Sequence, residues 1–214
     1  MTQYTTLFLK GTGMTLLLWV SCSLLSLMLG LFAGTLRSTQ LRIPLISPLL
    51  DGITLLLRGI PLYSQLMITY FAVPQLIGFA PSALLTGILT LGFCSGAYAS
   101  ELIRNGYNTI DKGQWLAAQA LGYARWQQVR YIIGPQMLQK TFPALVNEYL
   151  MVLKSTALLG AIGIIEVTKI GTNVMYKTFQ PIPVCLAVAA IYLILAALLT
   201  LFANWIERSY ACSQ

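Results

Sequence analysis

Residues 11–36 read GTGMTLLLWVSCSLLSLMLGLFAGTL, 26 residues without a charge, bracketed by Lys10 and Arg37. A bilayer span needs about 20 such residues. Two further runs repeat the pattern: 42 uncharged residues lie between Arg58 and Glu101, and 29 between Lys177 and Glu207. The chain of 214 residues is 57% hydrophobic and 9% charged. A soluble domain carries about a quarter charged residues, so this chain has too few charges to cover a water-facing surface. The sequence therefore describes an all-α polytopic membrane protein.

The first run is too long for the apolar region of a cleaved leader, which spans about 7–15 residues. Only Lys10 supplies a basic lead-in, so a retained first span is expected. Working outward, five spans are expected at about 12–36, 45–78, 82–103, 142–164 and 182–205, in a single transmembrane domain covering 1–214. The second contains Asp51 and Pro61. It is expected either as one long helix or as a helix bent at Gly59–Pro61, because proline removes an internal hydrogen bond. Gly30 and Gly34 form a G-x-x-x-G, a spacing that lets helices approach closely. Ordinary packing of small residues explains the same pattern.

The formal net charge is +7. With no basic run in the sequence, this reads as the positive-inside bias of a membrane protein and not as a nucleic-acid surface. If the polar stretch 104–140 is cytoplasmic, five spans put the N-terminus outside and the C-terminus inside. Arg37, Arg42, Arg58, Arg104, Lys112, Arg125, Arg130, Lys140 and Arg208 then lie inside, against Lys10, Lys169 and Lys177 outside.

No catalytic or metal centre is expected. The chain has no histidine, and Cys22, Cys94, Cys185 and Cys212 are widely scattered. No G-x-x-x-x-G-K-[ST] phosphate loop is present, so the chain carries no such ATP site.

Residues 113–121 are strong helix formers. Trp115, Ala118 and Leu121 recur at about helical spacing, which predicts one apolar stripe. Gly122 suits the stop of that helix, where a left-handed residue is often needed. A second helical stretch is expected over 123–133, with Pro135 ending it or starting the next. The small residues would let a partner's surface approach closely.

The spacing Ala117-Ala118, three residues, Gly122, nine residues, Ile132, one residue, Gly134-Pro135 resembles the EAA loop of ABC importer permeases. That loop reads Glu-Ala-Ala, three, Gly, nine, Ile, one, Leu-Pro. Here Leu116 replaces the usual Glu, and Gly134 the usual Leu. Other segments are similar to the polar amino acid permeases of the histidine, arginine and glutamine type. They are Arg58-Gly59-Ile60-Pro61-Leu62, Gly96 to Gly106, Gly113-Gln114-Trp115 and Leu153-Lys154-Ser155-Thr156-Ala157-Leu158. The resemblance covers about residues 10–208.

The resemblance implies a fold of five transmembrane helices with a cytoplasmic coupling helix. The function it implies is uptake of polar amino acids by alternating access. Gly113, Gln114, Trp115, Leu116, Ala117, Ala118 and Gly122 would form the coupling segment. The chain itself would hold no cofactor; ATP and Mg would sit on a partner ABC ATPase. A second permease subunit, identical or related, and an extracytoplasmic solute-binding protein are implied as well. The implied location is the bacterial inner membrane. An ion-gradient-driven transporter and a non-transporting assembly subunit are the rival readings.

An ionisable residue inside a span is costly unless paired or hydrated. Glu148 and Lys154 lie six apart, about 120° around a helix, and so do not pair with each other. Each either lines the translocation path or has a structural partner. Ser155 and Thr156, at similar depth, either meet substrate or bond back to their own helix. Arg58, Gly59 and Pro61 are candidates for the path or for a hinge. Glu101 and Arg104, three apart, are expected to pair on one helical face.

Overall fold

The computed structural model describes residues 2–211, with side chains described for 4–208; Cys212 lies outside them. The chain is helical almost throughout. Ten α-helices run in order: α1 (Thr2–Arg37), α2 (Ile46–Gly59), α3 (Leu62–Met67), α4 (Val73–Ile77), α5 (Ala83–Asn108), α6 (Lys112–Ala120), α7 (Arg125–Gln127), α8 (Gly134–Ser155), α9 (Val167–Thr178) and α10 (Pro181–Ala211). Among the described residues, four helical stretches are long and apolar enough to cross a bilayer: 4–37, 83–108, 125–162 and 181–208.

The second expected span, 45–78, is interrupted. α2 ends at Gly59, Ile60 is extended (φ −95°, ψ 130°), and Pro61 starts α3. The single long helix is therefore excluded and the break at Gly59–Pro61 is real. Breaking a helix frees carbonyls, and Gln65 recovers two of them. Its Nε2 donates to Leu57 O at 2.7 Å and to Ile60 O at 2.8 Å. A side chain that re-satisfies freed backbone groups is what makes such a break tolerable inside a membrane.

Two other prolines are absorbed without a break. A wider, π-type turn over Ile68–Ala72 precedes Pro74, and another over Gln128–Ile133 precedes Pro135. The extra residue in each turn relieves the clash of a proline ring with the preceding turn. At the second, the Gly134 N–H reaches back to Val129 O, and a Cβ on Gly134 would stand 2.3 Å from that oxygen. The expected polar loop over 104–140 is accordingly mostly helix. Residues 125–162 run as one helical stretch, so the fourth span starts well before 142. Pro135 stands in the first turn of α8, as expected of a proline that starts a helix, and the stretch before it runs on into α8 without a gap.

α1 packs along α5. Its buried positions are Gly11, Thr15, Leu18, Cys22, Ser26, Gly30, Gly34 and Arg37, one stripe at helical spacing. A Cβ on Gly30 would fall 2.7 Å from Ala99 Cβ, and one on Gly34 2.7 Å from Ser100 O. α5 answers with Gly92 and Gly96, seated on Leu25 and Leu29 of α1. Two apolar cores follow from this packing. One gathers Leu18, Cys22, Leu66, Leu91, Val152 and Leu159. The other gathers Ala99, Ile103, Tyr107, Trp115, Ile133 and Met137.

Glu166 caps the start of α9 and is fully buried. Its carboxylate accepts from Thr168 N at 2.7 Å, Lys169 N at 2.6 Å and the Tyr192 hydroxyl at 2.9 Å. This ties the start of α9 to α10.

Gly34→Leu is expected to lower stability by about 1–3 kcal/mol, the usual cost of overpacking. Gly13, with open space around its missing Cβ, should accept alanine without loss. Thermal unfolding of the two purified variants in detergent checks this; equal midpoints would remove the α1–α5 contact as the organising seam.

Candidate translocation site and coupling surface

The α2–α3 break faces α5 and α8 across a cavity of about 430 Å³. Ligand pockets span about 300–1,000 Å³. The break contributes Arg58, Gly59, Ile60, Pro61 and Leu62; α5 contributes Leu91, Cys94, Ser95 and Tyr98; α8 contributes Glu148, Met151, Val152 and Ser155. The structure thus brings Arg58, Gly59, Pro61, Glu148 and Ser155 to one wall set. Lys154 is exposed and lies outside the lining. Thr156 is fully buried, and its hydroxyl bonds back to Leu153 O at 2.7 Å.

Glu148 is half-buried, and no cation among the described residues lies within ion-pairing distance of it. Arg58 is differently placed. Its Nη1 meets Glu101 Oε2 at 3.1 Å, and its guanidinium sits 5.4 Å from the centre of the Tyr98 ring. The Tyr98 hydroxyl donates to Arg58 O at 3.3 Å.

Glu101 is the hub of a larger cluster. It pairs with Arg104, one turn away, and with Arg37 Nη2 at 3.1 Å. Arg37 is only 5% exposed in its side chain. It also holds Asp51 Oδ1 at 2.7 Å and donates to Ser100 Oγ at 2.8 Å. Asp51 Oδ2 takes Arg42 at 2.9 Å. The cluster joins α1, α2 and α5. Arg37 and Asp51 carried no signal of their own: their partners are distant in sequence, and only the α1–α5 seam delivers them to each other.

On the other side of Glu101, α5 continues to Asn108 and α6 begins at Lys112. Asp111 caps α6, its carboxylate accepting from Gly113 N at 3.2 Å. Gly122 (φ +80°) ends it. Tyr123 N bonds to Ala118 O at 3.2 Å and Gly122 N to Gln119 O at 3.0 Å, a two-bond C-terminal lock. Only Trp115 and Ala118 of the coupling segment are buried; Gly113, Gln114, Leu116, Ala117 and Gly122 are exposed. The expected stripe stops short, because Leu121 sits past the helix end and is 74% exposed. Ala118 is turned into the chain's own core, so it is not a contact point for a partner. Trp115 anchors α6 in the core shared with α5 and α8.

Residues 11–211 match the family described as binding-protein-dependent transport system inner membrane component. The chain is 34% identical to the arginine transport system permease protein ArtQ of Bacillus subtilis, covering 94% of this chain and 90% of that one. It is 33% identical to the glutamine transport system permease protein GlnP of Escherichia coli K12, covering 94% and 92%. A crystal structure of an amino acid ABC transporter with histidines superposes with a TM-score of 0.87 at 30% identity, over 98% of this chain and 96% of that one. The MetNI methionine ABC transporter, in inward-facing conformations, shares the fold (TM-score 0.83, 21% identity, 96% of each chain).

Arg37→Ala is expected to cost about 1.5–3 kcal/mol, the loss of buried charge-assisted hydrogen bonds to Asp51, Ser100 and Glu101. Arg42→Ala, whose side chain is 54% exposed, should cost about 0–1 kcal/mol. Thermal unfolding in detergent separates them; similar small losses would mean the Arg37 cluster contributes nothing to holding α1, α2 and α5 together.

Proposed function

This chain belongs to the family of binding-protein-dependent transport system inner membrane components, and from that premise we propose how it works. It is the permease subunit of an amino acid ABC importer and a multi-pass inner-membrane protein. It is a transport subunit, not an enzyme. The ATPase is a separate subunit, and ATP and Mg bind there.

The finer reading is as follows. The substrate is a polar amino acid, handed over by an extracytoplasmic solute-binding protein. Two permease subunits, identical or related, enclose the path, and each contributes the cavity between the α2–α3 break, α5 and α8. Arg58, Glu148 and Ser155 line that path. Gly59 and Pro61 form its joint. The segment Gly113–Gly122 couples to the ATPase on the cytoplasmic side, which puts the N-terminus outside and the C-terminus inside.

The observation that carries this reading is α6. It is a short helix capped at both ends, anchored by Trp115, with most of its surface uncovered. A helix held by one large side chain moves as a unit with α5 and α8, which supply the walls of the cavity. A force applied to α6 by an ATPase therefore reaches the cavity through rigid helices. α6 carries no negative charge after its cap, and Leu116 stands exposed where an EAA loop usually has Glu.

Gly122→Val tests the coupling assignment. A β-branched residue at φ +80° is strained, by about 1–2 kcal/mol, and the C-terminal lock should open. Uptake and co-purification of the ATPase subunit are expected to fall about ten-fold with normal abundance in the membrane. Gly122→Asn, tolerant of left-handed backbone, should retain most of both. Full uptake by the valine variant would detach α6 from coupling.

A further inference from the structure

Arg58 is the one residue that belongs to both the cavity and the charged cluster. The cluster's charges do not balance. Four guanidiniums (Arg37, Arg42, Arg58, Arg104) face two carboxylates, Asp51 and Glu101. Glu101 alone serves three of the four, so it is oversubscribed. Losing Arg58 would leave it with Arg37 and Arg104.

Arg58 is also the most exposed of the three guanidiniums on Glu101. Its side chain is 37% exposed against 5% for Arg37. Among the described residues its only ion pair is with Glu101, whereas Arg37 also holds Asp51 and Ser100. It immediately precedes the Gly59–Pro61 joint, where α2 ends on the bond from Ile60 N to Leu56 O and Gly59 has open space around it. Tyr98, whose ring faces the guanidinium, lines the same cavity. A planar guanidinium matches a carboxylate with two parallel hydrogen bonds.

We propose that Arg58 is the receptor for the α-carboxylate of the transported amino acid, held by Glu101 between substrates and exchanged from it when a carboxylate enters the cavity. The proposal rests on the reading of this cavity as the translocation path. The incoming carboxylate supplies the anion that the cluster lacks. The exchange loosens the end of α2 from α5 while Arg37 keeps α5 bound to α1. Substrate arrival is thereby converted into freedom at the joint, beside α5, the helix that leads to α6.

Cys94 lines the cavity and is only 6% exposed, so a reagent must enter the cavity to reach it. The permease, purified with its ATPase and placed in lipid nanodiscs, is treated with N-ethylmaleimide. Alkylation of Cys94 is read by peptide mass spectrometry with each of the proteinogenic amino acids present. The expected result is that at least one amino acid slows the alkylation, while its α-amide, lacking the carboxylate, does not. Arg58→Gln should raise the half-protecting concentration about ten- to a hundred-fold, the loss of a hydrogen-bonded charge pair. Arg58→Lys, which keeps the charge but not the fork, should fall between. Glu101→Gln removes the competitor and should lower the half-protecting concentration.

A residue that only braces the fold would respond in the same direction to both changes, because each destroys the same ion pair. Opposite directions are the signature of exchange. If Glu101→Gln does not yield a monodisperse complex, the comparison of acid with amide in the unaltered protein decides. Equal protection by acid and amide, or Arg58→Gln protected like the unaltered protein, would overturn the role of Arg58 and leave the cavity as the path. No protection by any amino acid in a complex that supports uptake would overturn both.

Discussion

The approach of α1 to α5 is the constraint on which the other contacts depend. In a bilayer, apolar side chains gain nothing by leaving lipid for protein, so helices associate through close packing of small residues. α1 follows this rule along its whole length. Its buried stripe is glycine, threonine, cysteine and serine with a single leucine, while Leu24, Met28 and Phe32 are 59%, 71% and 63% exposed. The large residues face outward and the small ones inward, the reverse of a soluble helix. The stripe ends on Arg37. Because Gly34 lets the backbones close up beside Ser100 and Ile103, the next turn of α1 brings the Arg37 guanidinium to Ser100 and Glu101. The ion cluster is thus a consequence of the glycine seam.

How much of this was legible follows from the range of each interaction. Uncharged runs, the stop at Gly122 and the pairing of Glu101 with Arg104 are local, and the residues alone describe them. The Gly30–Gly34 motif was visible, yet nothing local said which helix it meets or that Gly92 and Gly96 reciprocate. Arg37, Asp51 and Gln65 carried no signal, since each acquires its role from a partner brought by folding. Glu166 likewise gains its role as a fully buried cap from two backbone N–H groups and the Tyr192 hydroxyl. Within 104–140 the helices over 113–121 and 123–133 are legible from local propensity, whereas their continuation into the fourth span is not. The wider turns before Pro74 and Pro135 let helix continue where a proline ordinarily marks a boundary.

Irregular backbone appears where the candidate path requires it. α2 and α3 together contain enough residues to cross much of a bilayer, yet the chain opens between them at Ile60. A broken helix inside a membrane is tolerated only where the freed groups are met by protein or by a hydrated cavity. Both conditions hold here: Gln65 takes the carbonyls of Leu57 and Ile60, and the other side of the break lines the cavity. The break also fixes Arg58 as the last residue of α2 to face α5 before the chain turns away. Cavity, joint and cluster therefore meet at one residue.

α5 connects these parts to the surface. Tyr98 lines the cavity, Glu101 holds the cluster, Gly106 packs tightly on Thr141 and Met137 of α8, and Asp111 caps α6 just beyond its end. From Tyr98 to Asn108 is about 15 Å of uninterrupted helix at 1.5 Å per residue. A helix of that length, packed on glycine against both α1 and α8, shifts as a body more readily than it bends, since close-packed interfaces move between discrete arrangements. Trp115 then makes α6 part of the same body. In the proposed cycle, energy from the ATPase and the charge of the substrate act on opposite ends of one rod. The ion cluster at its middle is the point where either can be felt by the other.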